Sequence, residues 1–518
     1  MIKAAPAYRE IVRVHVGKSM KLVELAGRIP GARVLGSGEV EVARAVHDSR
    51  RVRPGDLFVA MPGAKADGHR FVQAALEAGA RAAVVEREVD LPSRPPLLVV
   101  RDAREALALA AHALAGDPTR RLTVCGVTGT NGKTTTTFLT RSILELSGRP
   151  TGVIGTIGYI IGRREIPSQM TTPDADDLAA YFAEMVDSGL AAAVMEVSSH
   201  ALHQKRTVGI EFRVGAFTNL TPEHLDYHKD MVSYREAKGI LFAGLAADAT
   251  AVLNTDDEAS QSFAEATCAR VLWYGLPSRA LGSSAAPRAD VTAADVRVDV
   301  RGSAFTLVTP RGKARVRTPL LGEHNIANCL TAAAIGEALA VPLSQIVAGI
   351  EALRTVRGRL EPVPTTLPYA VLVDYAHKTD ALRHALGTVR ELVKGHGRLI
   401  VVFGCGGDRD RFKRPAMAKV AQELADRVFV TNDNPRTEKP EAIAAEIVAG
   451  FSSMDKVTVE LDRRAAIGLA LGEARSGDVV IIAGKGHETY QIIGDVTRPF
   501  DDREVAAEVL RGLERRAN

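Results

Sequence analysis

The run Leu122-Thr-Val-Cys-Gly-Val127 has the character of a short buried strand. It passes directly into Thr128-Gly129-Thr130-Asn131-Gly132-Lys133-Thr134-Thr135 and then into a helical stretch. No other feature constrains the fold as strongly, because a buried strand ending in a glycine-rich turn that opens a helix belongs to a parallel α/β layer. Glycines let the backbone turn tightly and aim its N–H groups at phosphate oxygens, and the helix N-terminus adds positive potential. Gly129, Thr130, Asn131, Gly132, Lys133, Thr134 and Thr135 are therefore candidate nucleotide-binding residues. Lys133 can reach terminal phosphates and the Thr134 hydroxyl can bind Mg²⁺. The match to the general phosphate-loop pattern is imperfect: the position five before Gly132 is Val127, and the nearest glycine is Gly126. The bland alternative is a glycine-rich turn with no nucleotide. No Asn-Lys-x-Asp guanine-reading motif is present, which disfavours a GTPase switch.

At 518 residues the chain has room for about three domains. The aromatic share is only 5%, so its 46% of apolar residues is mostly Ala, Val and Leu, which suits α/β layers. With 66 Lys and Arg against 62 Asp and Glu and no like-charge block, nucleic acid is not an expected partner. Cys125, Cys268, Cys329 and Cys405 have neither zinc nor redox spacing and suit a reducing cytosol. No stretch is apolar enough to span a membrane, so a cytoplasmic protein is expected.

Residues 1–19 hold no apolar run of signal-peptide length and read as an extension upstream of Met20. Residues 20–118 alternate short apolar runs with helical patterns at 69–79 and 103–115, and Gly116-Asp117-Pro118 marks a joint. In 119–356, strands are expected at 122–127, 152–157, 192–197, 212–218 and 250–253, with helices at 133–147, 174–188, 325–340 and 343–353. Residues 291–318 read as a small antiparallel insert. In 357–518, strands at 370–374, 398–403, 427–431, 457–461 and 478–483 alternate with helices. The expected fold is α/β with three domains: a smaller N-terminal α/β domain, a central P-loop-type ATPase with a parallel sheet, and a C-terminal Rossmann-like doubly wound domain.

The 192–197 strand leads into Glu196-Val-Ser-Ser-His200, and such a carboxylate at the carboxyl end of a parallel strand faces the ligand crevice. Glu196 offers oxygen ligands to a hard cation. The next strand leads into Asn219-Leu-Thr-Pro-Glu-His224-Leu-Asp-Tyr-His228, where His224 is a less usual Mg²⁺ ligand. Lys238 falls in the helical stretch Tyr234-Arg235-Glu236-Ala237-Lys238, and composition alone favours a solvated lysine there.

Taken in order, Gly-Thr-Asn-Gly-Lys-Thr-Thr, Glu-Val-Ser-Ser-His, His-Leu-Asp-Tyr-His and Ala237-Lys238 resemble the central domain of the Mur ligases. The resemblance continues through Asn325-Ile-Ala-Asn328, Asp374-Tyr-Ala-His377, Gly404-Cys-Gly-Gly-Asp-Arg-Asp410, Asp433-Asn-Pro-Arg436 and Gly484-Lys-Gly-His-Glu488. It covers the chain from Met20 onward. It implies an ATP-dependent ligase that activates a carboxylate as an acyl phosphate and joins it to an amine. It also implies that Lys238 carries CO₂ as a carbamate and, with Glu196, His224 and Thr134, helps hold Mg²⁺. Carbamate formation needs a neutral amine, and at an exposed-lysine pKa of about 10.4 only about one amine in a few thousand is neutral at pH 7. A desolvated site would raise that fraction. Lys133, Lys238, His224 and Glu196 are the catalytic candidates.

The resemblance also assigns substrates. The N-terminal domain would hold a UDP-N-acetylmuramoyl dipeptide, with His47, Ser49 and Ala64, Lys65 and Ala66 at matching positions. Thr171, Thr172, Ser198, Gln204 and Arg206 would join from the central domain. Local chemistry alone reads these as turns and caps, although the Arg206 guanidinium can pair with a carboxylate. The C-terminal domain would hold the incoming amino acid through Arg409, Asp433, Asn434, Pro435, Arg436, Gly484 and Glu488. The Asp-Asn-Pro-Arg form goes with meso-diaminopimelate. ATP is expected between the second and third domains, with Asn325 at adenine and Arg359 and Asp374 near ribose and phosphates. Two departures stand out: His324 replaces an aromatic residue before Asn325, and Lys378-Thr379 replaces Thr-Pro after His377. A monomer is expected. The rivals are a sibling muramyl ligase, a folylpolyglutamate synthetase, and a nucleotide-gated binding protein without chemistry.

Overall fold

The computed structural model describes residues 19–63, 66–91, 94–277, 287–299 and 302–517. The expected 1–19 extension, apart from Ser19, lies outside the described residues, as do Ala64 and Lys65. The chain is α/β throughout and falls into two compact units. One comprises the chain up to Ala294 together with 307–314 and 327–350, and the other comprises the remainder.

The first unit contains two extended sheets, besides the two-stranded pairing of Met20–Lys21 with Glu41–Val42. The smaller has strand order Arg33–Leu35, Leu97–Val99, Ala82–Val85, Asp56–Val59, Arg44–Val46. All its pairings are parallel except the first. The apolar runs 57–61, 82–85 and 97–100 supply three of these strands within a residue or two. The helix Ala103–Leu114 is capped by Asp102, whose carboxylate accepts from the Arg104 and Glu105 N–H groups. It ends where Gly116 takes a positive φ, which permits the turn into Pro118.

The larger sheet is built on Thr123–Thr128, flanked in parallel by Ala192–Glu196 and Phe212–Phe217. Beyond these lie Thr151–Ile154 on one side, and Thr250–Asn254 and Arg270–Gly275 on the other. Gly158–Ile161 and Arg164–Pro167 extend one edge as an antiparallel hairpin. The 291–318 segment, expected as a small antiparallel insert, joins the edge of this sheet. Its first strand, Val291–Asp299, pairs in parallel with Arg270–Gly275, because Val291 and Ala293 are buried against that sheet before the strand becomes exposed.

The second unit has the strand order Glu361–Pro362, Ala370–Asp374, Val479–Ala483, Leu399–Phe403, Arg427–Val430, Val457–Val459. All but the first pairing are parallel. These short Val- and Ile-rich runs are buried on both faces, as such a sheet requires. Asp374, Gly404, Asp433 and Gly484 lie at or just past the carboxyl ends of adjacent strands, where doubly wound sheets bind ligands. A two-stranded hairpin, Tyr490–Ile493 with Val496–Pro499, follows the last of these strands and was not foreseen.

Candidate active site

Gly126 is a packing residue and not the start of the phosphate loop: a Cβ there would lie 2.7 Å from the Phe212 ring. The loop proper begins at Gly129, whose φ of +147° and 1.9 Å approach of a built Cβ to Thr218 Oγ1 admit only glycine. Gly132, with φ +86°, would meet the Asn328 side chain at 2.3 Å. The segment that follows the strand Phe212–Phe217 braces the loop. Thr130 N donates to Asn219 O (2.8 Å), Asn131 N to Asn219 Oδ1 (2.9 Å), and Thr218 Oγ1 to Asn131 O (2.6 Å). Thr134 and Thr135 are buried in the first turn of the helix Lys133–Leu146. Thr218 and Asn219 escaped the sequence reading, although the Asn219–His228 motif began there.

The two lysines converge. Lys133 Nζ donates to Gly129 O and Thr130 O, each at 2.8 Å. Lys238 Nζ donates to the same Gly129 carbonyl at 2.9 Å and lies 4.5 Å from the centre of the Tyr234 ring. Lys238 is not a solvated helix lysine but is 1% exposed. Helix phase explains this. In Met231–Ala243 the buried residues are Tyr234, Ala237, Lys238, Leu241 and Phe242, so Lys238 occupies the apolar stripe. Burial, reinforced by the nearby Lys133 charge, holds its amine well below the usual lysine range.

Glu196 is also buried. Its Oε1 accepts from Thr156 N (2.9 Å) and its Oε2 from Thr156 Oγ1 (3.0 Å). The threonine hydroxyl in turn lies 3.0 Å from Thr171 Oγ1. Thr172 Oγ1 donates to Glu196 O (2.8 Å) and accepts from Ser198 N (3.0 Å). His224 has a left-handed φ of +58°, and its ring packs edge-on against His200. Among the described residues, no three His, Cys, Asp or Glu side chains are grouped to hold a metal. Mg²⁺ is commonly bound by one or two carboxylates plus substrate phosphates. Glu196 pairs in register with Val127 beside the loop and supplies such a carboxylate.

A polar network joins the two sheets of this unit. Arg206 donates to Gln204 Oε1 (2.6 Å) and Thr172 O (2.9 Å) and pairs with Asp174 (3.2 Å). Gln204 Nε2 donates to Tyr227 OH at 3.1 Å. His47, at the carboxyl end of Arg44–Val46, lies 3.0 Å through Nδ1 from Asp176, and Arg51 pairs with Asp177 at 2.6 Å. Ser49 opens a single turn capped by Asp48, and Ala66 O accepts from Gly63 N. Asp174, Asp176 and Asp177 were absent from the sequence reading, since only the fold brings them to His47.

Burial alone would lower the His47 pKa, but the hydrogen bond and charge of Asp176, with Asp174 and Asp177, push it up to about 9. The protonated ring therefore stabilises the fold fully below the ordinary value of 6.5, and this contribution is lost as pH rises through about 9. An NMR titration of His47 is expected to show a midpoint near 9, and Asp176→Asn should lower it. A wild-type midpoint at 6.5 would contradict the assignment.

In the second unit, Gly484 takes φ +116°, and a built Cβ there would lie 2.8 Å from Asp433 Oδ2. Lys485 is fully buried, 3.2 Å from both Asn434 Oδ1 and Glu488 Oε2 and 3.9 Å from Asp433 Oδ1. Asn434 Nδ2 donates to Glu488 Oε2 at 2.9 Å. Lys485 thus ties together the carboxylates that sequence reasoning singled out. In the sequence alone, only Gly484 and Glu488 of this motif stand out, because the burial of Lys485 depends on the fold. Arg436 Nη1 donates to Gly407 O (2.8 Å), and Arg409 Nη1 to Asp408 O (3.3 Å). The buried pair Arg463–Asp502 underpins the site, as Arg463 also donates to Asn432 O and Ala483 O. Asp374 accepts from Leu360 N and Ala376 N, and Arg359 lies over the Tyr375 ring. Asn325 Nδ2 donates to Leu321 O (2.8 Å), and His324 packs edge-on against His384.

A phosphate loop, two lysines converging on one carbonyl and a separate amine-and-carboxylate site define an ATP-dependent ligase that forms amide bonds. The chain belongs to the Mur ligase family: the Mur ligase middle domain matches residues 127–336, the glutamate ligase domain 358–486 and the Mur ligase catalytic domain 41–114. It is 44% identical over 502 residues to the UDP-N-acetylmuramoyl-L-alanyl-D-glutamate--2,6-diaminopimelate ligase of Bacillus licheniformis, covering 96% of this chain and all of that one. The enzyme of the same name from Geobacter metallireducens is 45% identical over 517 residues, covering 95% of this chain and 99% of that one. A solved ligase of that name superposes with a TM-score of 0.69 at 32% identity, over 96% of this chain and all of that one. The folylpolyglutamate synthase of Mycobacterium tuberculosis shares the fold at 20% identity, with a TM-score of 0.58 over 79% of this chain and 94% of its own. Among the described residues no helix is long and apolar enough to cross a membrane.

Proposed function

We propose that the chain joins meso-diaminopimelate to the D-glutamate carboxylate of UDP-N-acetylmuramoyl-L-alanyl-D-glutamate, releasing ADP and phosphate. The relatives at 44–45% identity carry names with this substrate pair. The structural observation that carries the reading is the Asp433–Arg436 loop. It stands beside Lys485 and Glu488 at the carboxyl ends of the parallel strands, with facing groups of both charges for an amino acid. We assign residues 20–118 to the muramyl peptide, 119–356 to ATP and 357–518 to the amino acid, in a monomer acting in the cytoplasm.

ATP would pass its γ-phosphoryl to the D-glutamate carboxylate. Lys133 would leave its two carbonyl partners to neutralise charge on the transferring group. Thr134, Glu196, His224 and a carbamylated Lys238 would hold Mg²⁺, which supplies further charge neutralisation. The depressed pKa of Lys238 favours the neutral amine that CO₂ requires. Arg206 would pair with the acceptor's carboxylate, and His47 and Ser49, with Ala66 and the neighbouring Ala64 and Lys65, would contact the nucleotide end. The diaminopimelate amine would then attack the acyl phosphate, with Asp433 and Glu488 as its acceptors and Arg409 and Arg436 on its carboxylates.

Phosphate release should require ATP, the muramyl dipeptide and diaminopimelate together, and lysine should substitute poorly. Release without an acceptor would favour a nucleotide-gated binding protein. Release with a folate acceptor would favour the synthetase reading.

A further inference from the structure

Arg436 sits at a left-handed φ of +54°, a conformation uncommon for any residue but glycine, asparagine or aspartate. Two hydrogen bonds hold it there, and both come from the unforeseen hairpin. Arg436 N donates to Ile492 O (3.1 Å), and Gly494 N donates to Arg436 O (2.7 Å). The hairpin also reaches the two preceding polar residues. Ile492 N donates to Asn434 Oδ1 (3.0 Å), and Gln491 Nε2, which is buried, donates to Asp433 O (2.9 Å). Asp433, Asn434 and Arg436 are thus all fixed by one short ribbon.

That ribbon adds little to the core. Tyr490, Ile493 and Val496 are 39%, 36% and 52% exposed. A two-stranded ribbon is marginal by itself, so its bonds to the 433–436 loop dominate its attachment. Gly494, with φ +57°, makes the turn, and a Cβ there would meet nothing within 4 Å.

We propose that the Tyr490–Pro499 hairpin is the specificity clamp of the amino-acid site, with Gln491 as its positioning residue. It sets where the Arg436 guanidinium stands, so that an amino acid with a second, distal carboxylate is accepted and one lacking it is rejected. Discrimination by a single buried ion pair depends on the donor being held, since a mobile arginine would follow either substrate. This rests on the reading of Arg436 as a carboxylate ligand.

The test uses Gln491→Leu and Gly494→Ala in the full chain. The first removes the bond to Asp433 O. The second adds only backbone strain at the turn, so it covers the case in which the first misfolds. Each should lower kcat/KM for diaminopimelate by about tenfold, mainly through KM, as loss of one buried hydrogen bond in the first variant, or left-handed backbone strain of comparable cost in the second, implies. Lysine use should change by less than about twofold, so selectivity falls by nearly the same factor. Equal losses with both amino acids, or unchanged selectivity in both variants, would overturn the clamp. Parent enzyme and Arg436→Ala separate the two ideas. If the parent fails to select diaminopimelate, the reading of Arg436 falls. If Arg436→Ala loses selection while both hairpin variants keep it, only the clamp falls.

Discussion

Lys238→Ala is expected to lower turnover by about a hundredfold to ten-thousandfold, while muramyl-peptide affinity changes little. The range follows from removing a ligand to a metal worth several kcal/mol of transition-state stabilisation, at about 1.36 kcal/mol per tenfold. The amine is buried, donates to Gly129 O and stands beside Lys133. A second permanent cation there would repel the first, whereas an anionic carbamate would complement Lys133 and the metal. Short carboxylic acids should therefore restore part of the alanine variant's activity. Enzyme equilibrated with ¹³CO₂ should show a carbamate carbon resonance that is missing from the variant. A structural ammonium makes the opposite predictions: no such resonance, no rescue, and loss of stability in place of turnover.

Arg436→Ala should lower kcat/KM for diaminopimelate by roughly 30-fold to a few thousand-fold. Truncating one partner of a buried, hydrogen-bonded charge pair costs about 2–5 kcal/mol, at 1.4 kcal/mol per tenfold. The planar fork of arginine suits a carboxylate in a way that neither lysine nor alanine can copy. In the structure this guanidinium also donates to Gly407 O and Asn434 O, so it helps pin its own loop. Arginine has five donors, more than those two carbonyls use. The two roles separate by substrate. Loss of a carboxylate ligand harms diaminopimelate far more than lysine, whereas loss of a pin harms both alike. Steady-state kinetics with both amino acids on both proteins decide between them, and a parent enzyme that prefers lysine would end the assignment.

Much of the architecture could be read locally because its signals are local. The parallel strands are largely continuous apolar runs, and the Gly129–Lys133 turn announces itself by glycines that only a positive φ and close approach require. What escaped depends on contacts distant in sequence. The hairpin Gly158–Pro167 is short and half-exposed, so its alternation is weak. Asp176 looks like a helix-start carboxylate until the fold sets it against His47, 129 positions away. Lys485 and Gln491 matter through Asp433 and Asn434, more than fifty positions upstream. Lys238 lies between these cases: composition alone favours a solvated lysine, and only the fold sets the stripe Tyr234, Lys238, Leu241 inward and brings its amine to Gly129.

The most direct test of the chemistry follows an oxygen atom. UDP-N-acetylmuramoyl-L-alanyl-D-glutamate labelled with ¹⁸O in the reacting carboxylate is turned over with ATP and diaminopimelate, and the released phosphate is analysed by mass spectrometry. Activation as an acyl phosphate predicts one ¹⁸O in each phosphate, with the amide product retaining the other. Unlabelled phosphate, or phosphate released without amide formation, would contradict the account.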